Sequence, residues 1–567
     1  MDKKYLPVWT DADETIVNEL HQSLKIAPLV CRLLVQRNIQ TFEQAKSFLR
    51  PFSQIAWHQP QLLKGLPQAS QRIMKAIQQN QRILLYGDYD VDGTTSVAMC
   101  YLYLTRLGAD LLYYLPNRFT EGYGVSEKGI YFAKENNCAL IITLDCGITA
   151  HKAMDLANQL GIDTIVVDHH LPTQDLPNAT IIINPKQPNC PYPYKELSAC
   201  GVAFKLLADL KALQPHPIYL HDLLPFVTLS IACDIVQIRD ENRYLYLLGL
   251  KELEKTQIPG LIALKKINGI NASPTLRDLL FGIGPVINAA GRLAEASEAV
   301  RLMLAADWNV AHNYAVKLSE LNKQRRAIEK EITSEAFIQA SAQLEAYSKT
   351  QCLVVCSASW NKGVVGIVAS KLIERFNLPA LVLTKEENQW VGSGRSLRQI
   401  NLYNELKKQE SLLTKFGGHA YAVGISMPDE NLVQFIEQIN SSIQEQIAET
   451  DVNITEVEVN ADVNFEQFTQ TTLKILTQFE PYGPGNMRPV FHTSGAIIST
   501  YRSSRDGKHV FGRIKQNDIE IPFVAFGFSE DQIKNKPLQA IAYVLNIELT
   551  AEEVYVPQLE IRQFFIN

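Results

Sequence analysis

Three carboxylates stand at alternate positions in the stretch LLYGDYDVDGTTSVAM, residues 84–99. If the apolar strand that precedes them continues, Asp88, Asp90 and Asp92 share one face of it, where like charges repel one another. A cation among the oxygens would relieve that repulsion, and carboxylates are ligands that Mg²⁺ and Mn²⁺ prefer. The spacing therefore predicts a divalent-metal site at the end of this strand.

Three further apolar runs also end in acids or imidazoles. These groups are Asp145 in ITLDCGIT, Asp168, His169 and His170 in VVDHHLP, and Asp234 in LSIACDIV. A single aspartate in such a place is most often a helix N-cap. Four acidic strand ends, one with two adjacent histidines, favour a metal site instead. A shared carboxylate such as Asp145 could bridge two ions about 3.5–4 Å apart, the spacing used for in-line attack on phosphorus.

The elements that position these groups follow from a regular alternation that begins near residue 70. RILLYGDYD, ADLLYYLP, CALIITLDCG and DTIVVDHH are almost continuously apolar, and amphipathic segments such as AHKAMDLANQLG separate them. This pattern predicts an α/β fold with a parallel sheet that helices cover on both faces. Ligands bind such sheets at the carboxyl ends of the strands, which is where the charged clusters fall.

Composition and patterning divide the rest of the chain. The stretch from 308 to 346 is charged and has neither glycine nor proline, which predicts one long helix. The predicted domains are an N-terminal helical extension (1–70), a catalytic α/β domain (71–307), the connecting helix (308–346), a smaller α/β domain (347–450) and a C-terminal β-barrel (451–567).

The whole-chain composition describes a globular protein of several domains. The chain has 567 residues, 46% of them apolar, and a net charge of −6, so it lacks the basic signature of a passive nucleic-acid coat. No apolar run approaches the roughly 18 residues that span a bilayer, and MDKKYLPVWTDADE has no apolar signal core. The nine cysteines are scattered. We therefore expect a cytoplasmic chain with buried thiols and no disulfides.

The motifs DYDVDG, LDCGIT and VVDHH together resemble the DHH phosphoesterase superfamily. RDLLFGIGPVINAAGRL, NKGVVGIVASKL, GSGRS, FGGHAYAVG and EPYGPGNMRPVF narrow the resemblance to its RecJ family of bacterial single-stranded-DNA exonucleases, over nearly the full chain. The resemblance implies a DHH domain, a DHHA1 domain and an OB-like barrel. It implies hydrolysis of single-stranded DNA from the 5′ end to 5′-mononucleotides with two Mn²⁺ or Mg²⁺ ions. It further implies roles in DNA recombination and in repair, including mismatch repair. It also implies a monomer that a single-strand-binding protein or a helicase recruits.

The metal ligands that the resemblance implies are four carboxylates and one imidazole, those of Asp90, Asp92, Asp145, His169 and Asp234. Asp145 would lie between the two ions. Asp88 and Asp168 would be further ligands or would orient the ligands. His170 would donate a hydrogen bond to the scissile phosphate or to the leaving oxygen.

One position departs from the family pattern. Members of the family often carry histidine where this chain has Tyr86, two residues before Asp88. Because tyrosine is a poor ligand for these metals, the first ion would be held less tightly in this chain.

The nucleic-acid contacts that the resemblance implies are Arg118, Arg292, Ser393, Arg395, His419, Arg502 and Lys508. Arg118 and Arg292 would bind the terminal 5′ phosphate, although Arg118 could equally pair with a surface carboxylate. The glycine turns in GSGRS and GGH would let the backbone approach a phosphate. Arg502 and Lys508, with Tyr501 beside them for stacking, would track the single strand. The alternative for these last residues is a solvated hairpin.

Two other functions remain open from the sequence. A DHH phosphodiesterase that acts on short oligonucleotides or cyclic dinucleotides would use the same chemistry, but small enzymes of that kind lack the N-terminal extension and the barrel. An inactive scaffold of a replication complex would tend to lose acids from the first and third motifs, which are intact here.

Overall fold

The computed structural model describes residues 4–52, 57–214, 219–271, 273–347, 350–397, 400–448, 454–534 and 537–566. Its helices are α1 (Glu14–Leu24), α2 (Pro28–Val35), α3 (Phe42–Leu49), α4 (Leu66–Gln78), α5 (Val91–Arg106), α6 (Glu127–Glu135), α7 (His151–Gln159), α8 (Ala199–Leu213), α9 (Leu224–Cys233), α10 (Asp240–Lys255), α11 (Pro259–Ile267), α12 (Gly284–Leu293), α13 (Ser297–Leu304), α14 (Trp308–Ala346), α15 (Val365–Phe376), α16 (Leu402–Lys408), α17 (Leu432–Ala448) and α18 (Gln470–Thr477).

The strands are β1 (Lys4–Trp9), β2 (Arg82–Gly87), β3 (Leu111–Tyr114), β4 (Cys138–Leu144), β5 (Asp163–Val167), β6 (Ile181–Ile183), β7 (Leu353–Cys356), β8 (Ala380–Glu386), β9 (Gln389–Arg395), β10 (Lys415–His419), β11 (Ala422–Pro428), β12 (Ile454–Val459), β13 (Ala461–Asp462), β14 (Phe491–Ser494), β15 (Ile497–Ser503), β16 (His509–Gln516), β17 (Ile519–Phe526), β18 (Leu538–Leu549) and β19 (Tyr555–Ile566).

One compact unit comprises Gln59–Asp234 and Leu245–Asp451. Its first sheet has the strand order β3-β2-β4-β5-β6, and every pairing in it is parallel, which confirms the predicted parallel α/β fold. Strands β2, β4 and β5 are buried along most of their length, since helices cover both faces. The strand order reverses between β2 and β4, the place where open α/β sheets bind ligands.

The second sheet of this unit has the order β10-β11-β9-β8-β7. Only β7 and β8 pair in parallel, and the other neighbours are antiparallel. Helix α14 spans the same residues that the charged run without glycine or proline predicted. It packs against α11 and α12 as well as against α15, so it connects the helices of both sheets. Within the described ranges, no helix is both long and apolar enough to cross a bilayer.

The other compact unit comprises Met1–His58, Ile235–Tyr244 and Val452–Asn567. Its sheet has the order β13-β14-β18-β19-β17-β16-β15 and is mostly antiparallel, as expected for the C-terminal domain. The N-terminal segment differs from the helical extension that we predicted, because it begins with β1, which pairs in parallel with β12. Its helices share one apolar core with the C-terminal sheet. The predicted boundary at 450/451 lies outside the described residues.

The motif EPYGPGNMRPVF has a structural role in this core. Asn486 is 1% exposed, and its amide donates to the carbonyls of Phe479 and Pro481 at 2.7 and 2.9 Å. Its Oδ1 accepts a hydrogen bond from Arg37 Nε at 2.8 Å. The side chain thus joins the N-terminal helices to the C-terminal domain.

We expect Asn486→Ala to destabilise this unit by about 3 kcal/mol, because it leaves three buried polar partners unsatisfied at once. Urea unfolding followed by tryptophan fluorescence measures the change, with Gln558→Ala on an exposed position of β19 as the control. An Asn486→Ala midpoint equal to that of the control would contradict this role.

Candidate functional site

The structure brings seven of the predicted site residues together at the carboxyl edge of the parallel sheet and the end of α9. Possible ligand atoms lie within 4.8 Å of one another in three overlapping groups: Asp88, Asp90 and Asp145; Asp92, His169 and Asp234; and Asp145, His169 and His170. Asp145 and His169 each belong to two groups, so they stand at the centre of the cluster. This arrangement can hold two neighbouring cations.

The three acids of the first motif do not share one face of a strand, so that prediction was wrong. Strand β2 ends at Gly87, and Asp90 is the N-cap of α5, accepting a hydrogen bond from the Gly93 N–H at 3.1 Å. Asp92 lies in the first helical turn. A strand-to-helix turn therefore spreads the carboxylates around the cluster, and the capping interaction uses one oxygen of Asp90.

Asp234 follows a helix and not a strand, which corrects a second prediction. The apolar run before it is α9, buried over Leu224–Ala232, and Asp234 is its C-terminal capping residue. A helix that is buried on all sides has the same uninterrupted apolar pattern as a buried strand, so periodicity could not separate the two.

The electrostatics of the cluster fit a divalent cation. Burial and then the neighbouring carboxylates raise the pKa of Asp145 well above its usual value. The pKa of Asp88 is likewise raised, first by burial and next by Asp90. Within the described part of the chain, Asp88 Oδ1, Asp145 Oδ1 and both ring nitrogens of His169 have no hydrogen-bond partner. Buried polar atoms of this kind are costly unless a ligand satisfies them.

The positions of the central side chains support the same interpretation. His169 Nε2 lies 3.3 Å from Asp145 Oδ1 and 3.5 Å from Asp234 Oδ2. The backbone of Asp145 is left-handed, with φ of 65°, a conformation that costs of order 1 kcal/mol and is concentrated at functional sites. Five carboxylates with one or two imidazoles favour Mn²⁺ or Mg²⁺ over Zn²⁺.

Asp168 lies behind the cluster and orients the two histidines. Its Oδ1 accepts hydrogen bonds from the backbone N–H groups of His169 and His170 and from His170 Nδ1, the last at 2.8 Å. Burial alone would raise the pKa of Asp168, but the His170 contacts and the Ile148 N–H lower it to about 2. Burial would lower the pKa of His170, whereas Asp168 raises it to about 9. His170 Nε2 is therefore directed away from Asp168 as a potential proton donor.

Tyr86 does not take the place of a ligand. Its side chain is fully buried, and its hydroxyl donates to the Gly124 carbonyl at 3.1 Å and accepts from the Ser126 N–H at 3.0 Å. The ring stacks at a tilt on Tyr114, 5.3 Å between centroids. The tyrosine thus packs in the core and offers the cluster no ligand atom, and the looser hold on the first ion stays a prediction.

Sequence reasoning missed the residues that hold Asp92. Its Oδ1 accepts hydrogen bonds from Ser230 Oγ and the Cys200 N–H, and its Oδ2 accepts one from the Ala199 N–H, each at 2.8 Å. The two N–H groups belong to the first turn of α8, where the helix dipole favours a negative charge. The available signal was Ser230, which stands one helical turn before Asp234.

A cavity of about 360 Å³ lies beside the cluster, since Tyr123, which lines it, contacts His170, and three cationic side chains are among its walls. Tyr89, Arg118, Lys362, Ser393 and Lys415 are among the lining residues. The guanidinium of Arg118 lies over the ring of Tyr89, 4.2 Å from its centroid. Among the described residues Arg118 forms no ion pair with a carboxylate, so the surface-pairing alternative is not what the structure shows. Neither lysine was predicted.

Arg292, another of the predicted arginines, stands close to Arg118 and Tyr89 of this cavity. Arg292 donates from Nη1 to the Gly363 carbonyl at 3.0 Å, just before α15 begins. Burial, followed by the positive charges of Arg118, Arg325 and Arg395 in that neighbourhood, lowers the pKa of Arg292 to about 10. Such mutual repulsion between cations indicates a site that an anion would complete.

Ser393 and Arg395 lie on β9 against the first turn of α15. A Cβ at Gly366 would stand 3.3 Å from Arg395 Nη2 and 3.5 Å from Ser393 Oγ. The N-terminus of α15 has no side-chain cap, so the N–H groups of Val365 and Gly366 can bind an anion beside these side chains.

The remaining predicted contacts are not gathered here. His419 is exposed at the end of β10 and is not among the residues that line the cavity. Arg502 is exposed on β15 and Lys508 on the turn that follows, both in the other compact unit. Tyr501, which was expected to stack on bases, is 39% exposed.

Comparison with protein families identifies three domains along the chain. The DHH family, N-terminal domain, matches residues 82–231, the DHHA1 domain matches 349–445 and the RecJ OB domain matches 459–562. The first match contains every residue of the cluster except Asp234, and the second contains the whole second sheet. The third covers the C-terminal sheet up to the last residues of β19.

Curated relatives and solved structures agree with the domains. The single-stranded-DNA-specific exonuclease RecJ of Bacillus subtilis is 36% identical over 92% of this chain, which spans 65% of that relative. RecJ of Salmonella typhimurium is 34% identical, with 85% of each chain covered. The crystal structure of Thermus thermophilus RecJ in complex with Mn²⁺ superposes with a TM-score of 0.83 at 25% identity, covering 99% of this chain and 79% of that one. This chain belongs to the RecJ family.

Proposed function

We propose that this chain is a metal-dependent exonuclease that degrades single-stranded DNA from its 5′ end to 5′-mononucleotides. The observation that carries the proposal is the combination of two features in one unit: a buried cluster of carboxylates and imidazoles, and a cation-lined cavity beside it. The curated relatives are named as exonucleases specific for single-stranded DNA. The crystal structures of related proteins contain Mn²⁺ or Mg²⁺.

The residues divide the chemical work between them. Asp90, Asp92, Asp145, His169 and Asp234 would hold the cations, with Asp88 as a further ligand. Bound divalent cations supply Lewis acidity and lower the pKa of water for attack on phosphorus. His170 donates a hydrogen bond to the scissile phosphate or to the leaving 3′ oxygen, and Asp168 keeps its ring oriented and protonated. Ser230 keeps Asp92 in place.

Recognition of a chain end explains why the enzyme would act as an exonuclease. Arg118, Arg292, Ser393 and Arg395, with the N-terminus of α15, form a site for the terminal 5′ phosphate. When that phosphate is bound there, the adjoining cluster meets a phosphodiester close to the 5′ end. The site lies between the two sheets of one unit, and we infer that a strand enters it more easily than a duplex does.

The test uses a single-stranded oligonucleotide labelled at either end. We expect immediate release of the 5′ label as a mononucleotide in Mn²⁺ or Mg²⁺, no release in EDTA, and late release of the 3′ label. Early release of the 3′ label would reverse the polarity and retain the metal chemistry. Equal digestion of a blunt duplex would refute selectivity for single strands.

Arg395→Met is expected to weaken the preference for a 5′-phosphorylated strand over a 5′-hydroxyl strand by roughly 10- to 100-fold, the worth of charge-assisted hydrogen bonds to phosphate. The ratio of kcat/KM for the two substrates measures this preference. Arg82→Met, at the start of β2 and paired with Asp110, is the matched control. A preference that Arg395→Met leaves unchanged would place the phosphate elsewhere.

The alternatives make distinct predictions. A phosphodiesterase for short substrates would hydrolyse dinucleotides or cyclic dinucleotides faster than long strands, and the matched RecJ OB domain favours the long strand. A scaffold would bind no Mn²⁺, whereas the cluster here keeps all of its acids. We further propose that the chain acts as a cytoplasmic monomer in recombination and mismatch repair, recruited by a single-strand-binding protein or a helicase. The family resemblance supports these last points.

A further inference from the structure

An exposed aromatic side chain stands on a short π-helix that the proposed mechanism does not use. The π-helix spans Asp278–Ile283 and runs directly into α12. It buries Leu279 and Ile283 but leaves Phe281 64% exposed and Leu280 37% exposed. π-Turns are rare and are often found at functional sites. An exposed phenyl ring at such a turn is a candidate for binding a ligand.

Helix α12 extends along the cluster and connects this ring to the phosphate site. A Cβ at Gly291 would meet the Tyr89 carbonyl at 2.8 Å, and a Cβ at Gly284 would meet Cys233 Sγ at 2.6 Å. Only glycine permits both approaches. Tyr89 lies within the first acidic motif and Cys233 immediately precedes Asp234, so α12 packs closely against two segments that carry residues of the cluster.

The helical segment places Arg292 and Phe281 at its two ends. Arg292, beside the proposed phosphate site, lies at the C-terminal end, and Phe281 precedes the N-terminal end. Eleven residues separate them, about 16 Å along a helix axis. With the terminal phosphate near Arg292 and the cleaved bond at the cluster, a strand that follows α12 toward its N-terminal end would pass Phe281.

The charges around the ring suit a nucleic-acid strand. Arg326 of α14 is exposed and approaches the Phe281 carbonyl with Nη2 at 3.5 Å. Arg277, four residues before Phe281, is also exposed. Neither arginine forms an ion pair with a carboxylate among the described residues. An exposed aromatic ring with cations nearby is an arrangement that binds single strands without sequence preference.

We propose that Phe281 is a stacking platform for a nucleobase on the 3′ side of the cleaved phosphate, with Arg277 and Arg326 binding adjacent phosphates. The inference rests on the proposed function, since it takes single-stranded DNA as the substrate. It assigns to this π-helix the positioning of the strand that remains after each cleavage.

The first test places 2-aminopurine at successive positions of an oligonucleotide with a 5′ phosphate and measures fluorescence in EDTA, where no hydrolysis occurs. We expect quenching at one position beyond the first nucleotide. Phe281→Ala should abolish that quenching, and Phe281→Trp should retain it. Quenching that is absent at every such position, or that Phe281→Ala leaves unchanged, would overturn the inference.

The second test is kinetic. Phe281→Ala should raise KM for a long strand by roughly 5- to 150-fold, with kcat nearly unchanged, as expected for loss of one base stack. It should leave hydrolysis of a 5′-phosphorylated dinucleotide unaffected, because that substrate does not extend to the ring. Tyr131→Ala, an exposed aromatic position on α6, is the control. Equal losses on both substrates would overturn the stacking role. Position-specific quenching by a wild-type chain that cleaves no strand would contradict the proposed function and still support stacking.

Discussion

Asp145→Asn is expected to lower kcat for single-stranded DNA by at least about 10³-fold, the largest loss among the substitutions considered. Asp145 belongs to two of the three groups of ligand atoms and is fully buried at the junction of β4 with the cluster. Asparagine keeps the shape of the side chain but removes the charge that binds the cations, which costs several kcal/mol of transition-state charge stabilisation.

The measurement combines single-turnover cleavage with the Mn²⁺ stoichiometry found by electron paramagnetic resonance. We expect the variant to bind less Mn²⁺ and to unfold at nearly the wild-type temperature. Asp155→Asn, at an exposed position of α7, serves as the matched control and should behave as the wild type. Full activity of Asp145→Asn would remove this residue from the proposed ligand set.

His170→Ala is expected to lower kcat by about 10²- to 10⁴-fold while Mn²⁺ binding changes little, because a positioned proton donor contributes on that scale. Asp168 holds Nδ1 of the ring and keeps it protonated near neutral pH, and Nε2 lies on the opposite side, 3.2 Å from Tyr123 Oη. Asp168→Asn should reproduce part of the loss, since it releases the same ring.

The check on this prediction separates chemistry from binding. Single-turnover rates should fall for His170→Ala, whereas the affinity for a 5′-phosphorylated strand in EDTA should stay within a few-fold of the wild type. His151→Ala, at a half-buried position on α7, is the control. If Mn²⁺ binding is lost in parallel with the rate, His170 acts as a ligand and not as the donor.

The sequence by itself determined the parallel sheet and most of the cluster. Strands buried on both faces need nearly uninterrupted apolar residues, and amphipathic helices must cover them, so β2, β4 and β5 were visible locally. Since the carboxyl ends of parallel strands meet at one edge, Asp88, Asp145 and His169 had to lie close together. The family could also be identified from the sequence, because the residues of the cluster lie in short contiguous motifs such as DYDVDG and VVDHH.

Only the tertiary structure decided what depends on distant contacts. Asp234 follows α9, a helix that is buried on all sides and therefore has the uninterrupted apolar sequence of a buried strand. Asp90 is the N-cap of α5. Tyr86 points into the core and away from the cluster. The pairing of β1 with β12 joins two segments that lie far apart in the sequence. Hydrophobic periodicity indicates which positions are buried but not which partner buries them. The orientation of side chains such as Tyr86 and the pairing of distant strands are therefore set by tertiary packing.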